Sequence, residues 1–360
     1  MLNFTVGPVQ SDERICALGA QQVPYFRTPE FSRTMLENER LFLKFAGAPD
    51  ASRAVFLTGS GTAGMEAAVM NTLDASDKAI VVDGGSFGHR FVQLLEIHGI
   101  EHDSIELPAG SPLAADDLAP FAGAGYTAML INLCETSTGV AYDLDLVADF
   151  CRREGLFLIV DAVSAFLTEK IDMADAGIDV MITGSQKALA VPPGISVLAL
   201  APAALERIAR IDAHCMYFDL KDALKNGERG QTPFTPAVGI LLQINERLRM
   251  IDREGVDAEL ARVAALAADF RTRIEGLPFQ LFSKAPANCV TSLYTGEISA
   301  KAIFSELKDT YGIWICPNGG SMAETVFRVG HIGCLTEADN AVLADALFDM
   351  KARGLLDANR

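Results

Sequence analysis

The stretch Leu156-Phe-Leu-Ile-Val160, running into Asp161-Ala-Val-Ser164, decides the fold. Five apolar residues without polar alternation describe a strand covered on both faces. Five more runs share that character: Ala54–Thr58, Ala79–Val82, Thr127–Asn132, Val180–Thr183 and Ile195–Leu200. Between several of them apolar residues recur at helical spacing, over Met65–Leu73, Phe91–His98 and Leu144–Arg153. Strand, helix, strand in repetition predicts an α/β layer fold with a mostly parallel sheet flanked by helices.

Beyond residue 255 the pattern changes. Glu259–Arg273 predicts a long helix, and short strand-like pieces follow at Phe279–Phe282, Val290–Tyr294, Ile313–Cys316 and Val326–Val329. Helical spacing returns at Ala300–Thr310 and Asn340–Lys351. The expected division is a large α/β domain over 16–245 and a smaller α+β domain over 246–360, onto which residues 1–15 fold back.

Charge and composition narrow the function. The 360 residues carry 30 basic and 47 acidic side chains, a net charge of −17. A nucleic-acid binder needs a basic face, so that class is set aside. Half the residues are apolar and 21% are charged, which argues against disorder. Mean hydropathy is +0.23. The most apolar stretches, Leu156–Val160 and Ile195–Leu205, fall well short of the roughly 20 residues of a spanning helix, and Pro202 interrupts the second. No membrane partner is expected. The opening Met1–Thr5 lacks a basic region followed by an apolar run, so a cytoplasmic location is expected. Seven cysteines (16, 134, 151, 215, 289, 316 and 334) form no C-x-x-C pair, which points to free buried thiols and to no metal site.

Three features at predicted strand ends carry chemistry. Thr58-Gly-Ser-Gly-Thr-Ala-Gly-Met65 joins a strand to a helix, and a helix N-terminus with glycine access is a phosphate cradle. No acidic residue follows at the dinucleotide position, and no Gly-Lys-Ser/Thr makes it a Walker loop. Asp161 ends a buried strand, where a carboxylate is costly without a cation or strong donors. Lys187, in Ile182-Thr-Gly-Ser-Gln-Lys-Ala188, stands between two interior strands, where partial desolvation makes an amine nucleophilic. Singly, these read equally well as a tight turn, a helix cap or metal ligand, and a surface charge. Together they are the three anchors pyridoxal phosphate needs: a phosphate cup, an acid for the ring nitrogen and an amine for the aldehyde.

With those residues in place the chain resembles the class V, fold type I, pyridoxal-phosphate aminotransferases. The resemblance also covers Thr5-Val-Gly-Pro8, Cys134-Glu-Thr-Ser-Thr-Gly139, Thr232-Pro-Phe-Thr-Pro236 and Phe327-Arg-Val-Gly-His-Ile-Gly333. It implies a seven-stranded sheet and the cofactor pyridoxal 5′-phosphate. It also implies that Lys187 links to the coenzyme and that Asp161 pairs with the ring nitrogen. Phe87 and Val163 would cover the two ring faces, Thr136 would sit near the ring hydroxyl, and Ser60, Gly61, Thr62 and Gln186 would hold the phosphate. Thr235 resembles a threonine that reaches the phosphate from a neighbouring subunit, which implies a homodimer with shared sites. Arg328 aligns with the arginine that takes a substrate carboxylate. Two parallel bonds from a planar guanidinium suit that task.

The expected reaction is ping-pong transfer of an amino group from a small amino compound to a 2-oxo acid, pyruvate or glyoxylate. Ile315-Cys-Pro-Asn-Gly319 and Met216-Tyr-Phe-Asp-Leu220 resemble 2-aminoethylphosphonate–pyruvate enzymes, whereas Arg27-Thr-Pro-Glu-Phe31 resembles alanine– and serine–glyoxylate enzymes. A phosphonate would need a distal cation, for which Arg27 and Arg90 are candidates. His89 reads as a surface or supporting group. The alternatives are a cysteine desulfurase or lyase and a catalytically silent coenzyme binder. The desulfurase pattern places histidines where Phe87 and Gln186 stand, and a cysteine on a mobile loop, for which Cys316 and Cys334 are poor matches.

Overall fold

A computed structural model describes residues 1–357. The first half runs β1 (Leu2–Asn3), α1 (Glu13–Gly19), α2 (Pro29–Phe45), β2 (Arg53–Thr58), α3 (Gly61–Thr72), β3 (Lys78–Asp83) and α4 (Gly88–His98). Then come β4 (Glu101–Glu106), α5 (Ala115–Leu118), β5 (Ala128–Asn132), the hairpin β6 (Cys134–Glu135) with β7 (Val140–Ala141), and α6 (Leu144–Glu154). The central part closes with β8 (Phe157–Asp161), α7 (Met173–Ala176), β9 (Val180–Gly184), β10 (Ile195–Leu200), α8 (Pro202–Arg210) and α9 (Leu220–Gly227). The last third holds α10 (Val238–Glu254), α11 (Val256–Arg273), β11 (Gln280–Leu281), β12 (Val290–Tyr294) and α12 (Ala300–Tyr311). It ends with β13 (Ile313–Trp314), β14 (Cys316–Pro317), β15 (Val326–Gly330) and α13 (Glu337–Ala352).

The main sheet has the order β2-β10-β9-β8-β5-β3-β4. It is seven-stranded and mostly parallel, as expected, with β10 antiparallel to both neighbours. Alternate residues of one strand enter different cores: Ile80 and Val82 pack with α2, α6 and α10, while Ala79 and Val81 pack with α3, α4 and α8. Because the six apolar runs serve both faces, they lack alternation. The seventh strand was not legible in the sequence. Strand β4, Glu-His-Asp-Ser-Ile-Glu, lies at the sheet edge and buries only Ile105. Helices α2 and α10, also unread, pack on each other and carry one core layer.

A second sheet, β11-β12-β15-β14, is wholly antiparallel and packs its own core. That core joins Phe4, Phe270, Ile303, Phe327 and Leu347. The chain start belongs here: β1 pairs parallel with β13. The expected domain boundary at 245/246 falls inside α10, and the next break in the helices is Gly255, between α10 and α11. All seven cysteines are free. Cys134, Cys151 and Cys289 are buried as expected, but Cys16 and Cys334 are exposed and Cys215 and Cys316 half-buried: Cys215 and Cys334 lie in loops, Cys16 within α1 and Cys316 at the start of β14.

Candidate active site

Four parallel strands, β2, β3, β8 and β9, end on the same edge of the sheet, and each feeds a functional residue into the crevice there. The second sheet faces that crevice with Arg328, from β15. The buried strands fix these ends rigidly, so residues from the last strand position, as with Asp161, to four positions beyond share a common site.

Ser60 is the residue before α3 and makes no side-chain cap. Its hydroxyl is exposed, and the first-turn amides of Gly61 and Thr62 have no intrahelical partner. Gly61 is required for a close approach: a Cβ there would lie 2.8 Å from Val163 Cγ2. The helix start and the segment after β8 are therefore in contact. Thr62 Oγ1 accepts from Arg90 Nη1 at 3.2 Å, and the Arg90 guanidinium lies 5.0 Å over the Phe87 ring.

Asp161 is 6% exposed. Val163 N donates to its Oδ1 at 2.8 Å; among the described residues its carboxylate accepts no other hydrogen bond. Burial pushes its carboxyl up to about 6, the Val163 amide works the other way, and the Glu135 carboxylate adds to the rise. Lys187 is 8% exposed, and its Nζ donates to the Val6 carbonyl at 2.6 Å. Burial holds this amine below the ordinary lysine range, and the Arg328 charge adds to the effect.

Among the described residues, Gln186 Oε1 and Arg328 Nε at the site are buried without a hydrogen-bond partner. The other guanidinium nitrogens of Arg328 donate to Thr136 O at 3.1 Å and Pro317 O at 2.9 Å. Thr136 Oγ1 shares a 2.7 Å bond with Ser164 Oγ. His89 is exposed and bonds Asp83 at 2.8 Å, away from the other groups.

Sequence reading missed Glu135. It is fully buried and accepts from Phe87 N at 3.1 Å, Gly88 N at 3.0 Å, Asn132 Nδ2 at 2.8 Å and both the amide and hydroxyl of Ser137. It thereby ties the turn that carries Phe87 to the hairpin that leads to Thr136. The signal was present as an acid inside an otherwise neutral Cys-Glu-Thr-Ser-Thr-Gly stretch. Arg27 is not a free cation: it donates to Gln231 Oε1, Thr232 O and Pro233 O and lies over Phe26. Thr235 is exposed and makes no hydrogen bond to the 59–62 turn of its own chain among the described residues; the segment is tethered instead by Ala237 N to Thr58 Oγ1.

A family model described as aminotransferase class-V matches residues 25–334. An L-aspartate–glyoxylate aminotransferase from Paracoccus denitrificans is 30% identical over 93% of this chain and 87% of that protein. A serine–glyoxylate aminotransferase from Hyphomicrobium methylovorum is 30% identical over 96% and 87% respectively. Among solved structures, an aspartate aminotransferase of subgroup IV from Thermus thermophilus superposes with a TM-score of 0.90 at 25% identity, covering 99% of each chain.

Proposed function

The chain belongs to the class-V aminotransferases, enzymes that use pyridoxal 5′-phosphate, and on that premise we propose that it moves an amino group from a small amino acid to glyoxylate or pyruvate. One observation carries the reading most: a buried amine, Lys187, and a buried carboxylate, Asp161, stand at neighbouring strand ends with depressed and raised pKa respectively. Groups shifted in that way mark acid–base sites.

The residues present fit the coenzyme. The uncapped start of α3, with Ser60, Gly61, Thr62 and the orphaned Gln186 Oε1 nearby, suits a phosphate monoester carrying a proton. Asp161, with one donor and a pKa near 6, is suited to a cationic ring nitrogen, which would restore its charge. Val163 and Phe87 would flank the ring, and Thr136 would lie by its hydroxyl. When bound, pyridoxal phosphate supplies an aldehyde that takes up the amino group and a ring that accepts electrons.

Lys187 then moves a proton to and from the substrate α-carbon, a task suited to an amine that burial holds below the ordinary lysine range. Arg328 receives the substrate carboxylate on its unpartnered Nε edge. With Arg27 tied to backbone carbonyls and Arg90 engaged at Thr62 and Phe87, the unpartnered Nε of Arg328 is the free guanidinium nitrogen at the site among the described residues, which favours alanine or serine over 2-aminoethylphosphonate. The relatives named for glyoxylate support glyoxylate as acceptor.

We further infer a cytoplasmic homodimer. Val23 and Tyr25 are 60% and 69% exposed and share a groove with Thr235. Met216 and Tyr217, 78% and 48% exposed, extend the apolar surface, and Tyr217 shares a second groove with Thr235. Covering this surface with a second copy would bring Thr235 of the partner subunit toward each phosphate cradle.

The test is spectroscopic. With pyridoxal phosphate the protein is expected to gain a visible band that Lys187→Ala lacks. Serine or alanine should bleach the band, and glyoxylate should restore it. A band retained in Lys187→Ala removes the lysine assignment. If serine, alanine, aspartate and 2-aminoethylphosphonate all leave the band unchanged, the transfer reading is removed.

A further inference from the structure

Of the segment Thr5-Val-Gly-Pro8 only the Val6 carbonyl has entered the site so far, as the acceptor of the Lys187 bond. We propose that this segment is a strap, fastened to the small sheet, whose Val6 carbonyl positions the Lys187 amine. The inference rests on Lys187 being the reactive amine of the proposed function.

Three observations carry it. The first is contact: Lys187 Nζ donates to Val6 O at 2.6 Å across 181 residues of sequence. The second is that the approach has been made possible by a missing side chain. Gly7 has φ +130°, and a Cβ there would lie 2.9 Å from Lys187 Cδ and 3.1 Å from Gln186 O. Any other residue would be strained in backbone and would press on the lysine stem.

The third is the anchoring. Leu2 pairs with Ile313 and Asn3 with Trp314, and Phe4 N donates to Trp314 O at 2.7 Å. Gly330 N donates to Phe4 O at 2.7 Å, and Cys334 N to Gln10 O at 2.8 Å. Gly330 and Gly333 also let the strap lie flat, since a Cβ would fall 2.6 Å from Thr5 O and 2.7 Å from Gln10 O. Phe4 is fully buried in the small-sheet core. Thus one end of the strap is held by β13 and by Gly330 of β15, the strand that carries Arg328, the other end is held by Cys334 just past β15, and the middle reaches the lysine beyond β9. Whatever moves Arg328 relative to Lys187 moves the carbonyl as well.

A carbonyl 2.6 Å from an amine limits where that amine can sit and favours its protonated form. The other groups facing Lys187 are Asp161 from β8, Arg328 from β15, Cys316 from β14, Cys289 before β12 and Cys134 from β6. Removing the carbonyl leaves burial and Arg328 to disfavour the cation. The midpoint at which the amine becomes neutral should then fall.

The experiment uses the full chain, freed of coenzyme by dialysis against an amino donor. Lys187 is labelled with formaldehyde and cyanoborohydride over a range of pH, and its peptide is quantified by mass spectrometry. Only the neutral amine reacts. In Gly7→Ala the midpoint is expected to fall by about one pH unit, the scale of one hydrogen bond to a charged group. Pyridoxal-phosphate uptake should slow by about tenfold, as a misplaced reacting group would dictate. Affinity for pyridoxamine phosphate, which needs no bond to the lysine, should stay within about twofold.

Thr5→Val is the gentler companion. It removes the 2.6 Å bond from Thr5 Oγ1 to Pro8 O that holds the strap's turn, and should move the midpoint the same way by less. An unchanged midpoint in both variants overturns the proposal. So does a parallel loss of pyridoxamine-phosphate affinity without a midpoint shift, which would make the strap mere scaffolding. Failure of the coenzyme reading shows separately, as no visible band in the wild-type chain, and leaves the labelling comparison readable.

Discussion

Asp161 has an intrinsic conflict: it is buried with one amide donor, and its carboxyl titrates near 6. Between about pH 4 and pH 6 the folded chain keeps this proton while the unfolded chain has lost it. Stability of the coenzyme-free protein therefore falls as pH rises through that window. The two-unit gap corresponds to about 3 kcal/mol. Asp161→Asn stays neutral and lacks this slope. Urea unfolding should find the variant equal to wild type below pH 4 and up to about 3 kcal/mol more stable at pH 7, with the advantage reversed when coenzyme is bound. Equal stabilities at pH 7 would mean that the carboxylate has a solvent path. Asp161 and Lys187 were legible as strand-end residues. Glu135 was not, because its importance lies in the donors it gathers from three chain segments.

Helix α3 places its N-terminus at the site only because it lies close to the sheet. Gly64 makes that possible: a Cβ there would overlap Ser196 Oγ and come within 2.8 Å of Ile182 Cγ2. Gly64→Ala should lift the helix, destabilise the fold by about 1–3 kcal/mol and weaken binding of the coenzyme phosphate. Ser196→Ala in the same chain should recover part of the stability, since the hydroxyl is the nearest obstacle. Calorimetry of the single and double variants checks this, and additive losses would show that Ser196 is not the contact. The sequence offered Gly64 only as one more glycine of a turn. Its position one helical turn into α3, facing β9 and β10, is a matter of packing. Strand β4 was missed for a related reason, since an edge strand buries too little to leave an apolar run.

At the scale of the whole molecule Thr235 is exposed beside an apolar surface, and the proposed shared site takes this threonine from a second copy. Sedimentation equilibrium should give twice the mass of the chain. Tyr25→Asp should shift the protein toward monomer and lower coenzyme affinity with it. Thr235→Ala should leave the dimer intact and weaken coenzyme binding by about tenfold, the value of one bond to a charged phosphate. A dimer whose affinity ignores Thr235 would end the shared-site reading. By itself the sequence determined the layered fold and the strand-end chemistry, because both are written in short-range periodicity and in a few residues placed just after apolar runs. The tertiary structure alone decided that the chain start lies on Lys187, that Glu135 holds the Phe87 turn and that Arg27 is already engaged. These depend on pairings between residues tens to hundreds of positions apart, fixed by sheet register and by glycines that permit close approach, and no local pattern encodes them.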